Sequence, residues 1–452
     1  MSSLSRQEQL AGALAAPPAP RRLRPRDEEA DAFCERVARH AFFRGSAPIA
    51  VGRAPGRYDV LGGIADYSGA LVLGLPTGVG AFAAAQPCGD GRVTAVSGTR
   101  RISLPVAELV ELPVESLAAR LTGPDAWGAY VLGPLALLAR AAAIEPPGLR
   151  VLVSSTIPEG KGLGSSAAVE VATLQAVSAS LGHSAQIESL VLLAQRAEHL
   201  LAGAPCGLMD QMTVARGERD RLLAILCRPG EVTGSLELPA PLTVWGIDSG
   251  TTHAVSGDGY RRVRCAAFMG KALMEHRGHL AELDPSAVDG ASLPEQMPGR
   301  EFLRLHAGVD DPFSTVEPDV VYPVRAAALH AVEEHLRVRL FSELLDGPLT
   351  RERALLLGEL MYQSNESYGR CGIGAPRTDA IVAAVRRIGW DYGLAGARVS
   401  GGGGGGTVVV LGDRKAEALV LALAEELGTG YVGGSSAGAA SFGSRAVTPE
   451  LG

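Results

Sequence analysis

Lysine is nearly missing from this chain: its 42 basic residues are arginine except at Lys161, Lys271 and Lys415. With 49 acidic residues the formal net charge is −7, which leaves no general cationic surface for nucleic acid or an anionic membrane, so neither is expected as a partner. Cysteine is sparse as well. Cys34, Cys88, Cys206, Cys227, Cys265 and Cys371 stand far apart with no C-x-x-C pair, which argues against a disulfide framework or zinc site and suits reduced thiols. No run approaches the roughly twenty apolar residues that a membrane-spanning helix needs. The opening Met1 to Arg26, rich in Ala, Pro and Arg, has no apolar signal core, so a loose tail and a cytoplasmic location are expected.

What is present describes an ordinary globular protein: 452 residues, 46% apolar and 20% charged, enough for two or three domains. The stretch around which the rest is arranged is Pro158-Glu159-Gly160-Lys161-Gly162-Leu163-Gly164-Ser165-Ser166-Ala167-Ala168. A strand-like run, Leu149 to Ser155, precedes it, and Ala167 to Leu181 follows without proline or glycine, predicting strand, loop and helix. Glycines at alternate positions let the backbone pass close to a ligand, and Ser165 and Ser166 fall at the amino end of the helix, where free N–H groups and the dipole favour an anion. The loop is neither a Walker loop, because Gly162 stands where Ser or Thr is required, nor a G-x-G-x-x-G turn. A tight turn without a ligand is the alternative, and Lys161 is either a phosphate contact or a solvated loop lysine.

In chain order, a helix is expected from Asp27 to Phe42. Then come a short strand at Ile49-Ala50-Val51, a compact loop through Arg53 to Asp59, and a second strand at Ala70 to Pro76. Arg57, Asp59 and Asp66 sit among apolar neighbours and need partners; an internal Arg57–Asp59 pair and a polar ligand both stay open. An arginine-rich hairpin is read near Arg92 to Pro105, and the aromatics of Trp127 to Gly133 are assigned to the core. A helix from about Gln186 to Leu201 turns Glu198 toward packing, where a carboxylate must be paired, protonated or metal-bound, and His199 toward solvent. Asp210, between Met209 and Met212, is expected to be half-buried, as general base or as cap. A domain boundary is expected in Pro229 to Pro239, dividing a tail and helix at 1–45, a first domain at 46–235 and a second at 236–440. The six glycines Gly401 to Gly406 join two strand-like runs directly, predicting a tight approach to another loop rather than a linker. The residues after Gly433 are expected to be mobile.

Three stretches, Arg53-Ala54-Pro55-Gly56-Arg57, Pro158 to Ala168 and Gly396 to Leu411, resemble the GHMP kinase superfamily. Within it, Ala197-Glu198-His199, Pro205 to Gln211 and Ile247-Asp248-Ser249-Gly250 are similar to galactokinases. The resemblance implies an α+β two-domain fold with a mixed amino-terminal sheet, a ferredoxin-like carboxy-terminal domain and the active site in the cleft between them. It implies ATP, Mg2+ and a monosaccharide as ligands. It gives Asp210 the role of catalytic base and Arg57 that of its charge partner. The backbone of Gly160, Lys161, Gly162, Leu163, Gly164, Ser165 and Ser166 becomes the triphosphate cradle, Ser166 and Glu198 the metal ligands, and Asp66, Gly207 and Tyr260 the sugar contacts.

One departure bears on the sugar. Galactokinases read G-E-H-T-D-Y where this chain has Gly62-Gly63-Ile64-Ala65-Asp66-Tyr67, and the lost Glu and His lie by the sugar's C6 hydroxyl. A buried hydroxyl without a partner costs about 1–3 kcal/mol, so Gly63 and Ile64 suit L-arabinose, which matches galactose without that carbon. Gly62 to Gly69 with Pro158 to Gly162, and weakly Gly299 to Leu303 and Asp310 to Pro312, look like plant-type L-arabinokinases, without the counterpart of their glycosyltransferase-like half. The expected activity is L-arabinose 1-phosphate formation; galactose as acceptor, or a non-catalytic sugar sensor, remains the alternative.

Overall fold

The computed structural model describes residues 28–252, 258–290 and 293–450, so the expected amino-terminal tail lies outside the described residues. Helix α1, Glu28–Ala38, ends four residues short of Phe42.

Strand β1 runs unbroken from Ile49 to Leu61, buried throughout, so the expected loop at Arg53 to Asp59 is strand. The reason lies in register: β1 bulges between Pro55 and Arg57 and again between Asp59 and Leu61, which accommodates a proline that cannot donate to the ladder. β2, Leu71–Pro87, pairs with β1 along most of its length and forks on its other edge. Ala81 to Pro87 pair with β5, Leu149–Ser155, and Leu71 to Gly74 with β6, Arg221–Leu226. β3, Arg92–Ser97, lies parallel to β5 and antiparallel to β4, Arg100–Pro105, forming the expected hairpin. β7, Glu231–Glu237, pairs with β6. The expected boundary segment is therefore a strand of the first sheet, and the expected cut at 235 falls inside it. Helices α2 (Leu132–Ala141), α3 (Ser165–Ser180), α4 (Ile187–Leu200) and α5 (Met209–Arg216) pack together against this mixed sheet. α3 packs so closely on β1 that a Cβ on Gly52 would stand 2.3 Å from the Ala172 carbonyl oxygen.

The second sheet is antiparallel, with β8 (Leu242–Asp248) between β10 (Thr407–Asp413) and β11 (Gly430–Val432), and β9 (Leu394–Val399) outside β10. Helices α6 (Asp258–Leu273), α7 (Val324–Leu345), α8 (Arg351–Arg370) and α9 (Pro376–Ile388) precede β9, and α10 (Glu417–Leu427) precedes β11. With the helices between β8 and β9 taken as one crossover, this is the ferredoxin-like order expected. Residues 434–450 pack on the first domain: Arg445–Val447 pairs with β1, and Arg53 donates to the Ala437 carbonyl at 3.1 Å and the Ser436 hydroxyl at 3.2 Å. Its small residues allow that close packing, so the segment expected to be mobile is held in place.

The two sheets are joined by a fully buried ion pair. Arg398 in β9 donates to the Asp59 carboxylate at 2.8 Å and the Asp59 carbonyl at 2.9 Å, and both side chains are 0% exposed. Burial opposes the guanidinium charge, but Asp59, Tyr368 and Glu334 around it more than offset this and raise its pKa. Arg398→Met strands the Asp59 charge in the interior, so unfolding free energy should fall by about 3–5 kcal/mol, read from urea denaturation; a change below 1 kcal/mol would show that water reaches the pair.

Candidate active site

The glycine loop follows β5 and enters α3 at Gly164. Gly160, Gly162 and Gly164 all take positive φ, at 67°, 68° and 66°, the left-handed region open to glycine at little cost. This alternation aims the segment between β1 and the β9–β10 turn. Arg57 N–H donates to the Leu163 carbonyl at 2.8 Å, Thr407 N–H to the Lys161 carbonyl at 2.9 Å, and the Ser400 hydroxyl to the Gly162 carbonyl at 2.8 Å. A Cβ on Gly162 would lie 2.5 Å from the Ser400 carbonyl oxygen, and one on Gly406 2.8 Å from that of Lys161. The two glycine-rich turns are thus pressed backbone to backbone, as the sequence predicts.

Arg57 completes the clamp. Its Nε and Nη2 grip the two Asp210 carboxylate oxygens at 2.7 and 2.6 Å, while Nη1 donates to the Gly162 carbonyl at 2.5 Å. Of the two readings left open for Arg57 and Asp59, their mutual pairing is not what forms: Asp59 is taken by Arg398. Burial works against the Arg57 charge, but Asp210 outweighs it and the guanidinium pKa rises. Asp210 sits in the first turn of α5 and keeps 19% of its side chain exposed.

Two hollows meet at this pair. The larger, about 330 Å³, is lined by the glycine loop, Ser165, Ser166 and Glu198 together with Trp127, Tyr130, Val131 and Val153. The smaller is bounded by Gly63, Ile64, Asp66, Gly207 and Tyr260. Arg57, Asp210, Gly401 and Gly402 line both. All five sugar-contact candidates therefore gather in one recess that the base candidate also lines. The close fit at Gly207, where a Cβ would stand 1.7 Å from an Asp66 oxygen, explains that glycine.

Some assignments change. Lys161 does not line the larger hollow; its ammonium pairs with Asp248 at 2.9 Å and the Thr251 carbonyl at 3.2 Å, so it is neither solvated nor turned into the hollow. His199 is half-buried, bonded to the Cys206 carbonyl at 2.6 Å and tilted against the Phe313 ring with centroids 4.1 Å apart, rather than solvated. Trp127 packs against the first core as expected, but it and Tyr130 also line the hollow, with Arg100 over the Trp127 ring at 5.5 Å. Their sequence signal, aromatics beside Gly128 ahead of the loop, is shared by core helices and could not separate the two. All six cysteines are free thiols.

Glu198 faces the expected metal position beside Ser166. It accepts from the Gln211 amide at 2.7 Å, and burial, with Asp210 nearby, pushes its carboxyl pKa up to about 7. Glu170 behind it is buried, with one carboxylate oxygen unpartnered. A carboxylate held at this cost beside a hydroxyl and a phosphate-sized cradle fits Mg2+, which takes one or two protein oxygens and draws the rest from phosphates and water. Among the described residues no cluster of three acidic, His or Cys side chains offers an all-protein metal cage, and no helix is long and apolar enough to cross a membrane.

Comparison with known proteins agrees with this architecture. Residues 129–218 match the GHMP kinases N terminal domain and residues 348–429 the GHMP kinases C terminal family. The chain is 34% identical to the L-arabinokinase of Arabidopsis thaliana over 90% of this chain and 48% of that protein. It is 33% identical to the galactokinase of Bos taurus over 50% and 58%, and 30% identical to that of Pasteurella multocida over 70% and 72%. The chain therefore spans about half the length of the plant protein. In structure it superposes on Lactococcus lactis galactokinase complexed with galactose with a TM-score of 0.73 at 19% identity, covering 91% of this chain and 99% of that one. Methanococcus jannaschii mevalonate kinase gives 0.56 at 16%, covering 85% and 96%; at these identities both are likenesses of fold.

Asp66 yields a pH prediction. Burial and the Asp210 charge raise its carboxyl pKa from 3.8 to about 7, and one of its oxygens has no partner. A raised folded pKa contributes stability that is present below the unfolded value of 3.8 and lost as pH rises toward 7. Asp66→Asn carries no such penalty, so its ligand-free protein should exceed wild type in unfolding free energy by about 1–3 kcal/mol at pH 8, with the gap closing toward pH 4. Denaturation at both pH values checks this, and a pH-independent gap would refute it.

Proposed function

We propose that this chain, which belongs to the GHMP kinase family, is an ATP-dependent sugar 1-kinase that converts L-arabinose to L-arabinose 1-phosphate. The observation that carries the reading is the meeting of an anion-cradling hollow and a small polar recess at one bidentate Arg57–Asp210 pair. Phosphoryl transfer asks little covalent chemistry of a protein: it needs an aligned hydroxyl, a base and countercharge for the phosphates.

Each part has a residue here. The backbone of Gly160 to Ser166 and the start of α3 hold the triphosphate, and the apolar lining of Trp127, Tyr130, Val131 and Val153 takes the adenine. Ser166 and Glu198 would hold the magnesium ion, which supplies countercharge to phosphate oxygens. Asp66, Gly207 and Tyr260 hold the sugar, with the anomeric hydroxyl toward Asp210. The Asp210 carboxylate takes that proton as the O1–Pγ bond forms and the bond from Pγ to the bridging oxygen breaks, with ADP leaving. Arg57 orients the carboxylate through its two hydrogen bonds and faces the transferring group. Six unpaired thiols suit a reducing cytoplasm for this work.

The sugar follows from Gly63 and Ile64, which bring no side-chain hydrogen-bonding group to their corner of the recess. A hydroxymethyl buried there loses its partners, whereas L-arabinopyranose has only hydrogen at that position. ADP release measured across a panel of free monosaccharides should give kcat/KM for L-arabinose at least about tenfold above that for D-galactose, the ratio one lost hydrogen bond predicts. Equal values would leave a kinase without the proposed preference, and binding without turnover would point to a sensor.

Asp210→Asn keeps the side chain's size and removes its proton acceptor. We expect kcat to fall by about 10²–10⁴ with nucleotide affinity nearly unchanged, because the phosphates are held by the backbone of the glycine loop rather than by the Asp210 carboxylate. A variant that keeps most of its kcat would leave catalysis to the electrostatics of Arg57.

A further inference from the structure

Tyr368 ends α8 fully buried and does not itself line the sugar recess. Its hydroxyl makes two hydrogen bonds of opposite sense. It donates to the Gly401 carbonyl at 2.8 Å and accepts the Ile64 N–H at 3.0 Å. Ile64 and Gly401 both line the recess, Ile64 from the 3₁₀ segment Gly63–Ser68 that follows β1, Gly401 from the glycine turn between β9 and β10. One phenol oxygen therefore ties together two walls that come from different domains.

The same oxygen accounts for Gly63. A Cβ at that position would lie 1.9 Å from the Tyr368 oxygen, 2.9 Å from an Arg398 nitrogen and 2.9 Å from an Asp59 oxygen, at a φ of +44°. No side chain fits while Tyr368 stands where it does. The ring is itself held, with the Arg398 guanidinium 5.0 Å from its centroid and the His330 ring edge-on at 5.3 Å. Burial keeps the phenol protonated, raising its pKa, so the hydroxyl remains able both to donate and to accept.

We propose that Tyr368 is a positioning residue for sugar selection: by bridging Ile64 and Gly401 it fixes the recess at a width that admits a pentopyranose and shuts out a ring bearing a carbon substituent at C5. The inference rests on the sugar-kinase reading above and adds a steric limit to the missing polar partners. The two causes of selectivity predict different behaviour toward D-fucose, which is galactose without its C6 hydroxyl. A purely polar rejection tolerates its methyl group beside Ile64; a fixed width does not.

The test uses the full chain and three sugars. For the wild-type enzyme, kcat/KM for D-fucose should be as low as for D-galactose and at least about tenfold below that for L-arabinose, and D-fucose used as well as L-arabinose would overturn the width limit while leaving the L-arabinose reading intact. Tyr368→Phe keeps the ring and cuts both hydrogen bonds. Its L-arabinose-to-galactose ratio of kcat/KM should fall about tenfold, the worth of one buried hydrogen bond, through the sugar KM values and with KM for ATP unmoved. A Tyr368→Phe enzyme that loses activity equally on both sugars would overturn the proposal, since a merely structural role lowers both together. Should the variant not fold, the D-fucose comparison decides. A wild-type preference for galactose over L-arabinose would remove the substrate reading and the width limit together, a result distinct from either of the others.

Discussion

The site depends on where Arg57 puts its five N–H donors. Two go to Asp210 and one to the Gly162 carbonyl, while its own main-chain N–H holds Leu163. A single strand residue thereby sets the position of the base candidate at the start of one helix and of the loop that opens another. At 3% exposure such a charge would be strongly unfavourable alone, and the planar guanidinium satisfies it with fork geometry that lysine could not reproduce. A chain whose basic residues are almost all arginine is consistent with this use.

The domains meet through the same kind of contact. Asp59 with Arg398, and Glu334 accepting the Gly62 N–H at 3.1 Å and the Ser364 hydroxyl at 2.5 Å, place buried charges on either side of the segment that carries Gly63 and Ile64. Burial works to raise the Glu334 pKa, but Arg337 and its neighbours overcome it and hold the carboxyl down to about 2. Buried ion pairs of this sort add little net stability, since desolvation offsets most of the attraction. Their geometric demands are strict, however, and here they fix how the sheet of one domain faces the helices of the other.

Charge within the cleft is divided unequally among its carboxylates. Asp210 has Arg57 as a bidentate partner, and its negative charge contributes to raising both Asp66 and Glu198 toward pH 7. Asp66 lines the smaller hollow and Glu198 the larger. Asp66 keeps one buried oxygen without a partner, the pattern expected of a group kept for a ligand rather than for stability.

Sequence alone determined much of this protein. Alternating glycines between a strand and a proline-free helix identified the loop, because positive φ and close approach are local demands that only glycine meets cheaply. Helical spacing placed Glu198 inward, and the glycines at 401–406 were legible as a backbone contact because strands flanked them directly. What sequence could not decide was which charge meets which. Arg57, Asp59, Asp210 and Arg398 each need a partner, and those partners lie 153 and 339 positions apart along the chain, so the choice between an internal pair and the observed two awaited the fold. The strand through Pro55 depended on bulges in a partner ladder, the order of the tail beyond Gly433 on a sheet edge built four hundred residues earlier, and the role of Trp127 on which side of its helix faces the hollow. Local conformational demands are written residue by residue, whereas pairing, burial and side-chain partners are properties of the packed whole.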